Sequence, residues 1–137
     1  MRLELYLAET RDTAIRQQSM LDAAARALDD GETLSALEEN GVLHALQILV
    51  ENAIGKAKHL LKDRGEAVPV SAYDAFQRLA ELGDISRSSL EHWNAVIGLR
   101  NRIVHGYMNL DMSRVLELVR QRDYMPVVEY LVEDGAT

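Results

Sequence analysis

The chain has 137 residues and a net charge of −7, with 47% hydrophobic residues, no cysteine, two prolines and eight glycines. One domain over residues 1–137 with a real core is expected, and the scarcity of proline and glycine favours helices over strands and turns. The lack of cysteine excludes a disulfide framework and a thiolate nucleophile or metal site, and no stretch approaches the ~18 unbroken apolar residues of a membrane span.

The opening MRLELYLAETRD is charged throughout, so it is no secretory signal, and a cytoplasmic protein is expected. Leu3, Leu7, Ala14, Leu21, Ala24 and Leu28 recur at helical spacing, giving a long first helix that DDGET ends. SALE (Ser35 to Glu38) reads as a capping box. Beyond ENG, the strongest pattern in the chain is Leu43, Leu46, Val50, Ala53, Ala57 and Leu60, a core-facing helix that closes at Arg64-Gly65. SAYD (Ser71 to Asp74) caps a short helix through Phe76 and Leu79 to Leu82, with Gly83 closing it. A fourth helix is expected from about Ser86 to Val104. A fifth runs from about Asp111 to Val119, extending to Tyr130 with a break near Pro126. No period-2 pattern competes, and the fold class is an all-α bundle of four to five helices.

The charge is unevenly spread. From Arg87 to Arg122 six arginines stand against Glu91, Asp111 and Glu117, a local balance of +3 that leaves −10 on the rest. One basic surface on an acidic body fits a polyanionic partner, although six arginines over 36 residues also suit a solvated helix face.

Arg100 stands out within RNRIVHGYMNLD, residues 100–111. At about 100° per residue it falls about 20° from Trp93, among Leu90, Val96, Ile97 and Val104 on the apolar face, whereas Arg102 points about 180° from Trp93. A guanidinium on an apolar face needs a partner. A structural ion pair with a carboxylate such as Glu51 on the second helix would serve. So would a phosphate or a site shared between protomers, which the planar fork of arginine can grip bidentately.

His105 would sit about 140° from Arg100 on a continuing helix, but Gly106 suits a helix terminus, where the histidine side chain could swing back or face a second copy. A histidine at a helix end also interacts favourably with the dipole, without any further role. Histidine is the side chain suited to proton transfer near neutral pH. Arginine and histidine converging on one phosphodiester would make a metal-free ribonuclease site. Histidine would handle the 2′-hydroxyl or leaving-group proton, Arg100 would stabilise charge on the phosphorane, and Arg102, on the exposed face, would act mainly through RNA affinity. A symmetric dimer would supply two of each, with Trp93 in the core or at the dimer seam.

At RNRIVHGY the chain resembles the HepT-like ribonuclease toxins of the HEPN superfamily, whose mark R-N-x-x-x-H-x-Y is matched by Arg100, Asn101, His105 and Tyr107. The resemblance extends through PVSAYDAFQRLAELGDI and LVENAIGKAKHLL, hence over essentially the whole chain. It implies a dimeric helical bundle whose two motifs line one cleft that cleaves RNA without metal. It also implies a toxin–antitoxin partner, a minimal nucleotidyltransferase of the MntA type that transfers AMP onto the motif tyrosine, here Tyr107. Many relatives carry an aspartate in the second helix where this chain has Gly55 and Lys56; if that acid positions the motif arginine, Glu51 would have to substitute.

No H-E-x-x-H, di-iron Glu-x-x-His or phosphate-binding glycine loop is present, so no cofactor is expected. The glutamates at 38, 39, 51 and 66 read as surface acids, His59 as a packed or surface residue, and Tyr6, Tyr73, Tyr124 and Tyr130 as packing or surface residues. The competing function is a non-catalytic helical adaptor that keeps the motif for dimerisation or for binding a nucleotidyltransferase.

Overall fold

The structure, a computed structural model, describes residues 2–106 and 109–133. Its described residues form six α-helices and no strand: α1 (Arg2–Asp29), α2 (Ala36–Asp63), α3 (Ala72–Glu81), α4 (Leu90–His105), α5 (Met112–Arg120) and α6 (Met125–Val132), with a 3-10 turn at Arg87–Ser89 before α4. No helix among the described residues is long and apolar enough to cross a membrane.

Most helix ends follow from their local chemistry. The Ser35 hydroxyl accepts the Glu38 amide at 3.1 Å, and the Glu38 carboxylate accepts the Ser35 amide at 2.8 Å, so two amides lacking helical partners are satisfied. Ser71 caps α3 through the Asp74 amide, and Asp111 caps α5 through the Ser113 amide. Gly65 (φ +75°) and Gly83 (φ +81°) turn the chain out of α2 and α3 in the left-handed region that glycine enters without strain.

Three boundaries differ from the sequence reading, the first at α4, which starts at Leu90 after the 3-10 turn and not near Ser86. Asn40 and Gly41 lie inside α2, because the capping box starts the helix at Ala36 and the apolar face carries it through. The last helical stretch is two helices. Arg122 adopts φ +57° and reverses the chain after α5, and Pro126 stands in the first turn of α6, where its missing N–H is not needed.

The central element is α2, which packs against α1, α3, α4 and α6, while α1 also closes on α5 and α6. Ala14, Leu21 and Ala25 of α1 share one buried core with Leu46, Leu49, Val50, Ala53, Ala57 and Leu61 of α2. An aromatic cluster joins α3, α4 and α6: Phe76 stacks on Trp93 with centroids 4.3 Å apart, and Trp93 meets Tyr130 edge-on at 5.0 Å. Trp93 is therefore a core residue of this chain and is not left for a dimer seam.

Lys56 is fully buried and donates through Nζ to the carbonyls of Tyr130 and Glu133, with the ammonium 4.5 Å above the Tyr130 ring. Its charge satisfies carbonyls at the end of α6, where the helix dipole is negative. Tyr124 ties the start of α6 to α1 through a hydrogen bond from its hydroxyl to Asp22.

Candidate active site

The site is built where the C-terminal half of α4 crosses α2. The apolar positions of α4, Trp93, Val96, Ile97 and Leu99, are buried and fix the rotation of the helix. That rotation turns Arg100 toward α2 rather than toward water. Its side chain keeps 28% exposure, so the guanidinium lies at the rim of the core.

There the guanidinium meets Glu51, itself 34% exposed at the side chain. Arg100 Nε donates to Glu51 Oε2 at 3.2 Å, and Nη2 stands 3.1 Å from the same oxygen. Nη1 donates to Asn101 Oδ1 at 3.0 Å, and Gln47 Nε2 donates to Glu51 Oε2 at 3.2 Å. Glu51 is thus the partner of the motif arginine and not one of the surface acids. Glu38 works in its cap and Glu66 pairs with Arg78.

Three of the five guanidinium N–H groups are occupied by these partners, leaving two that can meet an anion from the open side. The carboxylate and the amide hold the fork in one orientation, as a phosphate-binding arginine requires.

His105 is the last residue of α4, helical rather than a cap, and its side chain is exposed. Gly106 takes the cap position with φ −146°, its amide bonded to the Arg102 carbonyl at 2.9 Å. Arg100 and His105 therefore stand about 140° apart on one helix. The chain brings Arg100, Asn101, Glu51 and Gln47 together and leaves His105 facing outward. Arg102 is exposed, as the helical geometry required. Tyr107 lies outside the described residues.

A largely apolar cleft of about 490 Å³ opens between α4 and α5, lined by Leu99, Leu110 and Leu118 together with Arg102, Arg114, Asp111 and Asp123. Asp111 is held below the usual carboxylate range, chiefly by the Ser113 hydroxyl hydrogen bond. Val104, 38% exposed, adds an apolar residue beside the motif.

Sequence reasoning took Tyr73 only as a packing or surface residue; it is 39% exposed. A Cβ placed on Gly98 of α4 would lie 3.7 Å from the Tyr73 hydroxyl and 3.9 Å from Arg102 Nη1. Its only trace in the sequence is a glycine inside an otherwise regular helix. His59, by contrast, stacks on Tyr6 at 3.8 Å at the far end of α2 and takes no part in the site.

Over 82 residues the chain is 29% identical to an mRNA nuclease HepT of Shewanella oneidensis; the match covers 60% of this chain and 62% of that protein, so it spans less than two thirds of the relative's length. In fold it is similar to a toxin–antitoxin structure with AMP-PNP (TM-score 0.76, 20% identity, 92% of this chain and 97% of that one). It is also similar to the tri-AMPylated HEPN toxin of Shewanella oneidensis in complex with MNT antitoxin (TM-score 0.76, 22% identity, 92% and 96%). The Ribonuclease HepT-like family model matches residues 9–133, and with the helical bundle and the motif geometry already described, the chain belongs to the HepT-like family.

Proposed function

We propose that this protein is the toxin of a toxin–antitoxin pair, an endoribonuclease that cleaves RNA without metal at a cleft shared by two copies of the chain. The observation that carries the reading is the Arg100 fork. It is fixed by Glu51 and Asn101, two of its N–H groups have no partner among the described residues, and it lies on the same helix as the exposed His105. Membership in a family described as ribonuclease supports the activity.

The chemistry needs only these groups. A neutral imidazole nitrogen of His105 takes the 2′-hydroxyl proton as O2′ bonds to phosphorus. The P–O5′ bond breaks, and a protonated imidazole returns a proton to O5′. Arg100 holds the equatorial oxygens as charge grows on the phosphorane. The angle between Arg100 and His105 within one chain favours completion of the site across a two-fold axis, Arg100 of one copy acting with His105 of the other.

The partner in this reading is a minimal nucleotidyltransferase of the MntA type, which silences the toxin by transferring AMP to Tyr107. The support is the motif position of Tyr107, two residues past His105, and the AMPylated toxin among the structural relatives. An added AMP would put a bulky anionic group two residues past His105.

The test is cleavage of RNA by the purified chain in excess EDTA, compared with Arg100→Ala and His105→Ala. The expected result is cleavage that survives EDTA and falls about 10²- to 10⁴-fold in either variant. Full activity in His105→Ala, or loss of wild-type cleavage in EDTA, overturns the mechanism. A folded dimer with no cleavage that still binds the nucleotidyltransferase returns the protein to the adaptor reading.

A further inference from the structure

Gly98, Arg102 and His105 project from α4 within about 60° of one another and over about 10 Å of helix axis. None of the three is buried, and Arg102 has no ion-pair partner among the described residues. Tyr73 reaches this face from α3, with its hydroxyl near the bare backbone of Gly98 and its ring partly open to solvent. A guanidinium and a phenol thus flank a position without a side chain, two turns along the helix from the motif histidine. Glu91, about 10 Å further from His105 on the same face, ends the cationic stretch.

We propose that Tyr73, Gly98 and Arg102 form a subsite for the nucleotide adjoining the scissile phosphodiester. The inference rests on the ribonuclease reading and adds the residues that position the strand. The Tyr73 ring stacks on the base, a sequence-tolerant contact because every base has a π face. Arg102 meets the phosphate, and Gly98 lets the strand approach the helix backbone closely. A guanidinium and a hydroxyl beside Gly98 suit a polyanion there, about 10 Å along the helix from the His105 end at which a second copy would complete the site.

Gly98 makes the test clean. A Cβ at this position meets its neighbours at ordinary contact distances, so Gly98→Ala folds and, as a helix-favouring change, raises the melting temperature by about 3 °C. Gly98→Leu fills the notch with a longer side chain. Binding is read by fluorescence anisotropy on a fully 2′-O-methylated oligoribonucleotide, which cannot be cleaved, across a salt series. Cleavage of the unmodified RNA is followed in parallel, with light scattering for the mass of each variant.

Gly98→Ala and Gly98→Leu should bind progressively more weakly while remaining folded and of unchanged mass. Tyr73→Ala should lose roughly 5- to 100-fold in affinity and raise KM more than it lowers kcat, whereas Tyr73→Phe keeps most of the affinity. Arg102→Gln should reduce the salt slope by about one. If wild type binds and cleaves but these variants match it, the subsite is wrong and the ribonuclease reading stands. If Gly98→Leu loses RNA together with half its mass, the face is a subunit contact and the subsite is overturned. A wild type that neither binds nor cleaves RNA removes both.

Discussion

Nε and Nη2 of Arg100 share one oxygen of Glu51, at 3.2 and 3.1 Å, across 49 residues of sequence. Such a pair at the rim of a core stabilises weakly, about 0–1 kcal/mol once solvent screening is counted. Its effect on cleavage should be larger, because it orients the fork. Glu51→Gln is expected to lower the melting temperature by no more than about 4 °C and the cleavage rate by at least about tenfold. Thermal unfolding and single-turnover cleavage measured on one preparation check the two together. Equal losses in both would make Glu51 a stabilising residue only.

Modification should depend on Tyr107 alone. Incubation with a cognate nucleotidyltransferase, ATP and magnesium is expected to add AMP masses to the wild-type chain and none to Tyr107→Phe, by intact-mass spectrometry. Tyr107→Phe should stay toxic when the partner is co-expressed. Neutralisation of that variant by binding alone would show that AMP transfer is not the switch.

Lys56 anchors α6 without touching the motif. Lys56→Met keeps the volume but leaves the Tyr130 and Glu133 carbonyls without their charged donor, and is expected to cost about 1.5–3 kcal/mol. Denaturant unfolding should show the loss, and cleavage by the folded fraction should be unchanged. A variant as stable as wild type would mean that desolvating the ammonium offsets its bonds.

Acid should loosen α5 first. Glu117 is lowered from 4.5 to about 2, chiefly by its hydrogen bonds from Arg120 and then Gln121. A depressed carboxylate stabilises the folded chain above its unfolded value, and that contribution fades as pH falls from about 4.5 toward about 2. Asp111 at the cap shifts in the same direction. Amide exchange in α5 is therefore expected to rise relative to α2 across this window, and Glu117→Gln should flatten the trend. Both groups are exposed, so the change should be local.

Much of the fold was legible because helix ends are local chemistry: Ser35 with Glu38, Ser71, Asp111, Gly65 and Gly83 each act within a few residues of themselves. Gly41 misled because a buried apolar face outweighs one weak helix former. The reversal at Arg122 was hidden because a non-glycine residue holds a left-handed conformation there. In the site, helical angles put Arg100 toward the core and Arg102 toward water, and Glu51 was named as a partner. Tyr73 was not legible, since its approach to Gly98 depends on how α3 packs on α4. Trp93 was read as core or dimer seam, and both it and Ile97 are buried within one chain. The dimer expectation now rests on the exposed end of α4.

The hydrogen bond from Tyr124 to Asp22 spans 102 residues and joins the first helix to the start of the last. A ribosome makes α1 and α2 long before α5 and α6 exist, so Leu7, Ala14 and Leu21 wait without the helices that finish covering them. Arg100 finds Glu51 only after α4 emerges, and the bundle closes only when α6 follows. Translation thus imposes an order on these helices: Glu51 of α2 is made 49 residues before the Arg100 of α4 that it holds.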